Sequence, residues 1–504
     1  MDVDGEKEMS GGDGSVVRYN VPGYISIYRL FHWLKDNGYR GVVVGMPGSF
    51  KTTRMCYLPL FVNTVVVLSF PLRKLRDEVY ERIKNDPRFK SVRNIVTVFK
   101  GHDEICQPLM NRIQSNPGVN YLKVLSDHVS AVEKGKEGCV WKYEIDRMID
   151  ILKKGEPKLI LTTHRLSLIL KIIDKYLRRK RRRDVPTIFI FDEGEDLFLR
   201  IGEPLDFKVL LDLKVHKKIY RKFRNMYRPL YKGMKVGYLP ITLIHDVFFN
   251  SAMVSASFPP TLMNVLCVDM WGRGGDCPEY RMRVPRVPDK IIIYNKILRW
   301  EDEDRWRKSV YPIVLSIVNR VVNKGYPLGI VSRNLNQTKT LAEMLEGVGY
   351  IVYSDHRDNN PKPFYQADAV IVTVLGKGYR GINLYTRKNS SRWDFPVVVG
   401  FYQGKGLSRK HIHPFFYEIL RDEGRVGDEI DTFIKEMIMG KNFQTLFRFI
   451  RDKSKEHILI LMDRRWDECI KTYGNYYYLQ SRPLTIDNVE DIITKSFPFI
   501  DSLP

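Results

Sequence analysis

The sequence has no run of about 18 consecutive apolar residues, so we expect no transmembrane helix and no membrane partner. It has no Cys-x-x-Cys pair either, and its six scattered cysteines predict neither a disulfide framework nor a standard zinc site. The N-terminus is acidic and Gly-rich without the apolar core of a signal or transit peptide, so we predict a disordered tail over residues 1–19. These absences favour the cytoplasm, or the host cytoplasm if the protein is viral.

Acidic residues are outnumbered by basic ones. The chain has 82 Lys and Arg against 59 Asp and Glu, which gives a net charge of +23. Such a surface attracts an anionic partner, nucleic acid first and an anionic membrane second. A length of 504 residues is enough for two or three domains.

The stretch Gly41 to Thr53 is typical of a phosphate-binding loop, because a Val-rich strand leads through glycines to a lysine and two threonines. Lys51 would reach the β- and γ-phosphates, and the hydroxyl of Thr52 would hold Mg²⁺. Phe50 replaces the second glycine of the consensus. An ordinary Gly/Pro loop between a strand and a helix is the alternative. The candidate nucleotide-binding residues are Gly45, Gly48, Ser49, Lys51, Thr52 and Thr53.

Two carboxylates, Asp192 and Glu193, directly follow the apolar strand 187–191. Ligands of open α/β sheets bind at the carboxyl ends of the strands, where the phosphate loop also emerges. Asp192 would hold Mg²⁺ together with Thr52, and Glu193 would orient and deprotonate an attacking water. Alone the pair could be a polar helix cap; with the phosphate loop it predicts an ATPase site.

A third group lies far away in the sequence. The spacing of Gln444, Arg448 and Arg451 predicts one face of a helix. Two guanidinium groups there could clamp a γ-phosphate in the transition state, although arginines at such a spacing are more often a solvated face.

Strands alternate with helices along the chain, which predicts an α/β protein with parallel sheets. The first unit, residues 20–285, is interrupted by two insertions, at about 100–157 and 204–235. The Pro-rich segment 278–288 predicts a linker, so the second unit covers residues 286–504.

These motifs, taken in order, resemble superfamily 2 helicases of the XPD/DinG type over roughly residues 20 to 470. The resemblance implies two RecA-like domains and an ATP- and Mg²⁺-dependent DNA helicase or translocase that moves 5′ to 3′ on single strands. Its remaining matching segments are 99–106, 192–197, 255–260, 378–384, 444–451 and 459–466.

The sequence departs from that family in its iron–sulfur ligands. The family uses four cysteines, whereas this insertion contains Cys106 and Cys139, so we expect no iron–sulfur cluster. The segment 192–197 corresponds to motif II of that family, and Glu195 stands in place of its histidine, which puts tight coupling of ATP hydrolysis to nucleic acid in doubt. Further departures are Phe50, Arg380, Asn383 and Phe447.

By the same resemblance, a single-stranded or forked nucleic acid crosses both domains of a monomer, with DNA expected ahead of RNA. The basic run 178–183 precedes the motif II strand, so we expect it at the opposite edge of the sheet. An RNA or CRISPR-associated helicase, or a nucleic-acid-binding protein with a vestigial ATPase fold, are the alternatives. The candidate nucleic-acid residues are Arg73, Lys74, Thr163, His164, Arg333 and Arg380.

Overall fold

The computed structural model describes most of the chain, and the structural statements below refer to that part. The described residues are 24–45, 51–177, 186–199, 211–224, 228–229, 237–238, 251–267, 271, 277–282, 290–357, 366–374, 395–412, 416–417, 420, 427–450, 456–473 and 482–503. The predicted tail 1–19, the basic run 178–183 and the segment 378–384 lie outside it.

Within this part, two seven-stranded parallel sheets dominate the fold. Apolar runs rich in Val and Ile form the central strands, as expected for parallel strands that are buried on both faces. The strands of the first sheet are β1 (Gly41–Val44), β2 (Val65–Phe70), β3 (Val96–Val98), β4 (Lys158–Thr163), β5 (Ile188–Asp192), β8 (Ser251–Ser255) and β9 (Glu279–Arg281). Their spatial order is β3-β4-β2-β5-β8-β1-β9.

The second sheet is built from the C-terminal half of the chain and has the order β12-β13-β11-β14-β15-β10-β16. A separate two-stranded ribbon pairs β6 (Arg228–Pro229) with β7 (Gly237–Tyr238). The strands of the second sheet are β10 (Lys290–Tyr294), β11 (Leu328–Ser332), β12 (Val352–Ser354), β13 (Ala369–Thr373), β14 (Val397–Gly400), β15 (Ile458–Leu461) and β16 (Leu484–Ile486).

Helices cover the faces of both sheets. Those of the first half are Tyr24–Asp36, Lys51–Val62, Arg73–Asn85, His102–Ile105, Gln107–Ser115, Tyr121–Glu133, Trp141–Lys154, His164–Leu177, Lys217–Arg224 and Pro260–Val265. Those of the second half are Glu303–Ser309, Tyr311–Asn323, Leu335–Gly347, Asp428–Leu446, Arg465–Tyr473 and Asp491–Asp501.

These two sheets confirm the predicted α/β class with two RecA-like domains. The predicted boundary between residues 285 and 286 stays a prediction, because residues 283–289 lie outside the described part. The described helices include none that is long and apolar enough to cross a membrane.

The described parts of both predicted insertions pack on the first domain. Between β3 and β4 the chain forms four helices whose apolar residues, such as Leu125 and Met148, join the core on one face of the first sheet. In the second insertion, Leu213 and Ile219 enter the same core. The insertions are therefore built onto the first sheet.

One helix of the second half crosses to the first domain. Asp428–Leu446 places Phe433 and Met437 in the core of the first domain, whereas Phe443 packs in a core of the second. This helix therefore couples the two domains, and it carries the predicted residue Gln444.

Candidate functional site

The phosphate-loop strand β1 lies next to β8, and β5 lies on the other side of β8. Gly45 directly follows the strand, and its N–H donates to the carbonyl of Ser255 at 3.1 Å. Lys51 begins the following helix and donates from Nζ to the carbonyl oxygen of Gly45. The lysine therefore folds back over the start of the loop. Gly48, Ser49 and Phe50 lie outside the described residues, so the loop path stays a prediction.

The two motifs meet through Thr52 and Asp192. The Thr52 hydroxyl donates to Oδ2 of Asp192 at 2.8 Å, across 140 positions of the chain. Burial first, and then the neighbouring charge of Glu193, raise the pKa of Asp192 to about 6, while Lys51 and the Thr52 hydroxyl oppose this shift. A hydroxyl and a carboxylate side by side are oxygen ligands of the kind that Mg²⁺ prefers. Thr53 lies in the same first turn of the helix.

The turn after β5 is tight. Glu193 adopts a left-handed conformation with φ 54° and ψ 50°. Such values are uncommon for a residue with a Cβ and are enriched at functional sites. Gly194 then packs on β8, since a Cβ at that position would lie 2.6 Å from the sulfur of Met253. The local fold thus fixes the direction in which the motif II carboxylates leave the sheet.

The crossing helix Asp428–Leu446 brings a lysine onto these carboxylates. Nζ of Lys441 lies 3.1 Å from Oε1 of Glu195, 3.1 Å from Oδ1 of Asp196 and 3.6 Å from Oε2 of Glu193. Gln444 donates from Nε2 to Oε1 of Glu195 at 3.2 Å. Burial raises the pKa of Glu195 to about 7, while the positive charge of Lys441 opposes the shift. The Glu195 carboxylate therefore anchors the second domain to motif II.

Close backbone contact sets this helix in place. A Cβ on Gly440 would lie 2.8 Å from Oγ and 3.0 Å from the carbonyl oxygen of Ser257. One turn earlier, the carboxylate of Glu436 accepts hydrogen bonds from the N–H and hydroxyl of Thr261 at 2.8 and 3.0 Å. The segment 255–261 after β8 is therefore the seat of the crossing helix.

The prediction of one helical face for Gln444, Arg448 and Arg451 is wrong. The helix ends at Leu446, and Arg448 follows in a turn, where it is only 8% exposed. Arg451 lies outside the described residues. The two apolar residues Phe447 and Phe449 are fully buried in the core of the second domain. Because both rings pack there, the helix ends before Arg448.

Four of the candidate nucleic-acid residues line one cleft on the first domain. The cleft has a volume of about 480 Å³ and is bounded by Arg73, Lys74, Thr163 and His164, together with Asp196. Lys74 is 76% exposed, whereas Nδ1 of His164 lies 2.5 Å from the hydroxyl of Ser69 in the interior. The Lys74 side chain is therefore more exposed to solvent than that of His164.

Arg333 is placed differently. Nη2 donates to Oε2 of Glu303 at 3.1 Å, and the guanidinium stacks on the rings of Trp300 and Trp306. The side chain is 8% exposed, and burial lowers its pKa. Its positive charge is therefore paired with Glu303 inside the second domain and does not lie on an open surface. Arg380 lies outside the described residues.

Sequence reasoning missed Lys441 and Gly440. Lys441 precedes Gln444 by one helical turn, so its position on the same face could have been noted. Its carboxylate partners come from the other domain, however, and no spacing within the helix points to them. Gly440 is a residue of low helix propensity, and the sequence alone gives no indication of its contact with Ser257.

The overall fold is similar to that of XPD helicases. One structure described as an XPD helicase is 13% identical, covers 92% of this chain and 98% of its own, and has a TM-score of 0.50. Xpd4 of S. tokodaii is 12% identical, covers 92% of this chain and 99% of its own, and has a TM-score of 0.50. The chain matches no protein-family model and no curated protein. At this level of identity the likeness concerns the fold.

Proposed function

We propose that the protein is an ATP- and Mg²⁺-dependent helicase or translocase that acts on single-stranded nucleic acid. The hydrogen bond between Thr52 and Asp192 supports this most directly. It joins the helix after the phosphate loop to the carboxylate of the last residue of β5, beside the lysine that begins the same helix. An ordinary Gly/Pro loop between a strand and a helix does not require the acidic pair Asp192 and Glu193 at the same edge of the sheet, so this contact favours a nucleotide site.

Each residue has a separate role in the proposed reaction. Lys51 neutralises the β- and γ-phosphates, and Thr52 with Asp192 would hold Mg²⁺, which supplies further charge neutralisation. Glu193 orients the attacking water and accepts its proton. Arg448, and Arg451 three positions later in the sequence, stabilise the charge that develops on the γ-phosphate, so we expect their loss to lower turnover by on the order of 10³.

The nucleic acid would lie in the cleft that contains Lys74 and Arg73. The net charge of +23 supports an anionic substrate. DNA and 5′ to 3′ movement are proposed from the sequence resemblance, and an RNA or CRISPR-associated helicase is the alternative. One observation favours a vestigial ATPase instead, because Lys441 lies within 3.6 Å of the proposed base Glu193.

The test is steady-state ATP hydrolysis, measured with and without single-stranded DNA and RNA of equal length. We expect turnover that either polymer stimulates, and almost none in Lys51→Ala and Glu193→Gln. Glu193→Gln should still bind ATP, because the phosphate contacts remain. Lys90→Ala, an exposed lysine outside the site, is the matched control. Undiminished turnover in Lys51→Ala would remove this site from the reaction, and nucleic-acid binding without turnover would establish the vestigial alternative.

A further inference from the structure

Four side chains of the first insertion converge although they come from three separate stretches of the sequence. His102, Cys106, His128 and Cys139 each point one nitrogen or sulfur at a common centre, and these four atoms lie within 4.8 Å of one another. Nε2 of His102 is 3.0 Å from Sγ of Cys139, and Nε2 of His128 is 3.3 Å from Sγ of Cys106. The two sulfurs are 3.2 Å apart. From this convergence we infer a binding site for a single zinc ion, independent of the proposed ATPase.

The donor set and its size fit zinc. Two thiolates and two imidazoles form one of the common tetrahedral structural zinc sites, with Zn–S bonds of about 2.3 Å and Zn–N bonds of about 2.0–2.1 Å. Bonds of those lengths at tetrahedral angles place the ligand atoms roughly 3.3–3.8 Å apart. The three separations given above, 3.0–3.3 Å, lie at or just below this range, and the others do not exceed 4.8 Å, so a small outward movement of the ligands admits the ion.

The same geometry excludes a two-iron cluster at these residues. In a cluster with two cysteines and two histidines, both sulfurs bind one iron and both nitrogens bind the other. The sulfur pair and the nitrogen pair would then lie apart. Here each imidazole nitrogen lies within 3.3 Å of a sulfur, and all four atoms surround one point. One ion can contact the four ligands, whereas two irons with bridging sulfides do not fit between them.

Each histidine is oriented by a carboxylate on its far side. Nδ1 of His128 lies 2.6 Å from Oε2 of Glu137, and Oε1 of the same carboxylate accepts from Nε of Arg112 at 3.0 Å. Nδ1 of His102 lies 3.3 Å from Oδ1 of Asp212. Histidine ligands of metals characteristically donate their other ring N–H to a carboxylate, which fixes the tautomer. Both rings therefore present Nε2 to the centre.

The surroundings also match a built site. His102, Cys106 and His128 are fully buried, and the His102 ring stacks on Trp141 at a centroid distance of 5.3 Å and an interplanar angle of 9°. Nδ1 of His102 and Oδ1 of Asp212 are buried without a formed hydrogen bond. Buried polar groups are costly when they are unsatisfied. A cation that pulls Nε2 toward the centre and lets Nδ1 donate to Asp212 would satisfy both.

The ion would fasten the insertion beside the proposed nucleic-acid cleft. Its ligands come from the helix His102–Ile105 and the residue that follows it, from the helix Tyr121–Glu133 and from the loop before Trp141. Asp103, next to His102, accepts from Nη2 of Arg73 at 2.6 Å, so the zinc centre positions one wall of that cleft. The search for Cys-x-x-Cys pairs missed this site, because His102 and Cys106 form a mixed His-x-x-x-Cys pair and the other two ligands stand alone in the sequence.

The test is metal analysis of the full-length protein, purified without oxygen from medium that contains zinc and iron. We expect about one zinc per chain and no stoichiometric iron. Cobalt substituted for zinc should give the visible ligand-field and thiolate charge-transfer bands of a tetrahedral S₂N₂ centre. Less than about a tenth of an equivalent of zinc after reconstitution, or a bound iron cluster, would overturn the proposal.

Variants identify the ligands. Cys139→Ser should lose the bound zinc, whereas Cys469→Ser should keep it, because that free cysteine is buried in the second domain. If Cys139→Ser fails to fold, Glu137→Gln replaces it, since this change leaves all four ligands in place. We expect Glu137→Gln to release zinc to a chromogenic chelator with an affinity weakened about 10–100-fold. Retention of a full equivalent in Cys139→Ser, or an unchanged affinity in Glu137→Gln, would contradict the assignment.

Discussion

Nζ of Lys441 lies 3.1 Å from Oε1 of Glu195, and both side chains are about 1% exposed. The lysine belongs to the helix Asp428–Leu446, and the glutamate follows the motif II strand of the first domain. Both charges are buried, so neither can be solvated if the other is removed. The contact therefore holds the helix of the second domain against the residues that we propose bind Mg²⁺ and water.

The first prediction concerns Lys441→Met, which keeps the length of the side chain and removes the charge. Because it leaves buried carboxylates uncompensated, we expect the free energy of unfolding to fall by about 3–5 kcal/mol. In the double variant with Glu195→Gln, the loss should be smaller than the sum of the two single losses. Chemical denaturation of the four proteins measures both effects.

Lys435→Met is the matched control for that experiment. This lysine lies on the same helix and pairs with Glu468, but the two side chains are 56% and 50% exposed. Exposed pairs contribute about 0–1 kcal/mol. If Lys441→Met costs no more stability than Lys435→Met, the contact between Lys441 and Glu195 is not formed in solution.

The second prediction concerns Gly440→Ala. In an open helix this change stabilises by about 1 kcal/mol, but here the added methyl group would meet Ser257 at 2.8 Å. We expect a net loss of about 1–3 kcal/mol as the helix is pushed from its seat, together with reduced ATP turnover. Gly347→Ala is the control, because a Cβ there has open space around it. Thermal melting that shows equal stabilisation of both variants would contradict the close approach.

The sequence predicted the sheets well because apolar runs such as Val65–Phe70 and Leu328–Ser332 bury both faces and carry a local signal. It missed β10 (Lys290–Tyr294), a short apolar run that follows the predicted linker. It also predicted a helix through Arg448 from the spacing of the polar residues alone. The burial of Phe447 and Phe449, which ends the helix earlier, is not visible in that spacing. The Lys441 contact and the group of His102, Cys106, His128 and Cys139 join separate stretches of sequence, so neither could be predicted from one local pattern.

The third prediction concerns pH. The pKa of Asp192 is raised to about 6 by burial, so below that pH the carboxyl is protonated and a cation must displace the proton. The affinity for the Mg²⁺–nucleotide complex should therefore fall as pH is lowered through 6, approaching about tenfold per pH unit. Titration of a fluorescent nucleotide with Mg²⁺ between about pH 7.5 and pH 5 measures this.

Asp192→Asn separates this effect from the titration of the phosphates themselves. The variant should bind the Mg²⁺–nucleotide more weakly at every pH, and its affinity should follow the ionisation of the nucleotide alone. The difference between the two profiles then reports Asp192. Parallel profiles for wild type and variant would mean that Asp192 does not take up a proton in this range, and that its proposed place beside Mg²⁺ is wrong.

The last prediction separates two residues that the sequence treats alike. Lys74 is 76% exposed on the wall of the cleft, whereas Arg333 is 8% exposed and paired with Glu303. Each phosphate contact on a single strand contributes a salt-dependence slope of about 0.7 in log K against log salt. Lys74→Ala should therefore weaken binding of single-stranded DNA at low salt and reduce that slope by about 0.7, while the melting temperature stays near that of the parent. Lys84→Ala, at the far end of the same helix, should leave both quantities unchanged.

Arg333→Ala should instead lower the melting temperature, because it removes a buried ion pair and the stacking on Trp300 and Trp306, and it should leave the slope as it is. The measurements are fluorescence anisotropy over a series of salt concentrations and thermal melting of each variant. If Arg333→Ala reduces the slope and Lys74→Ala does not, the nucleic acid lies along the second domain rather than in this cleft.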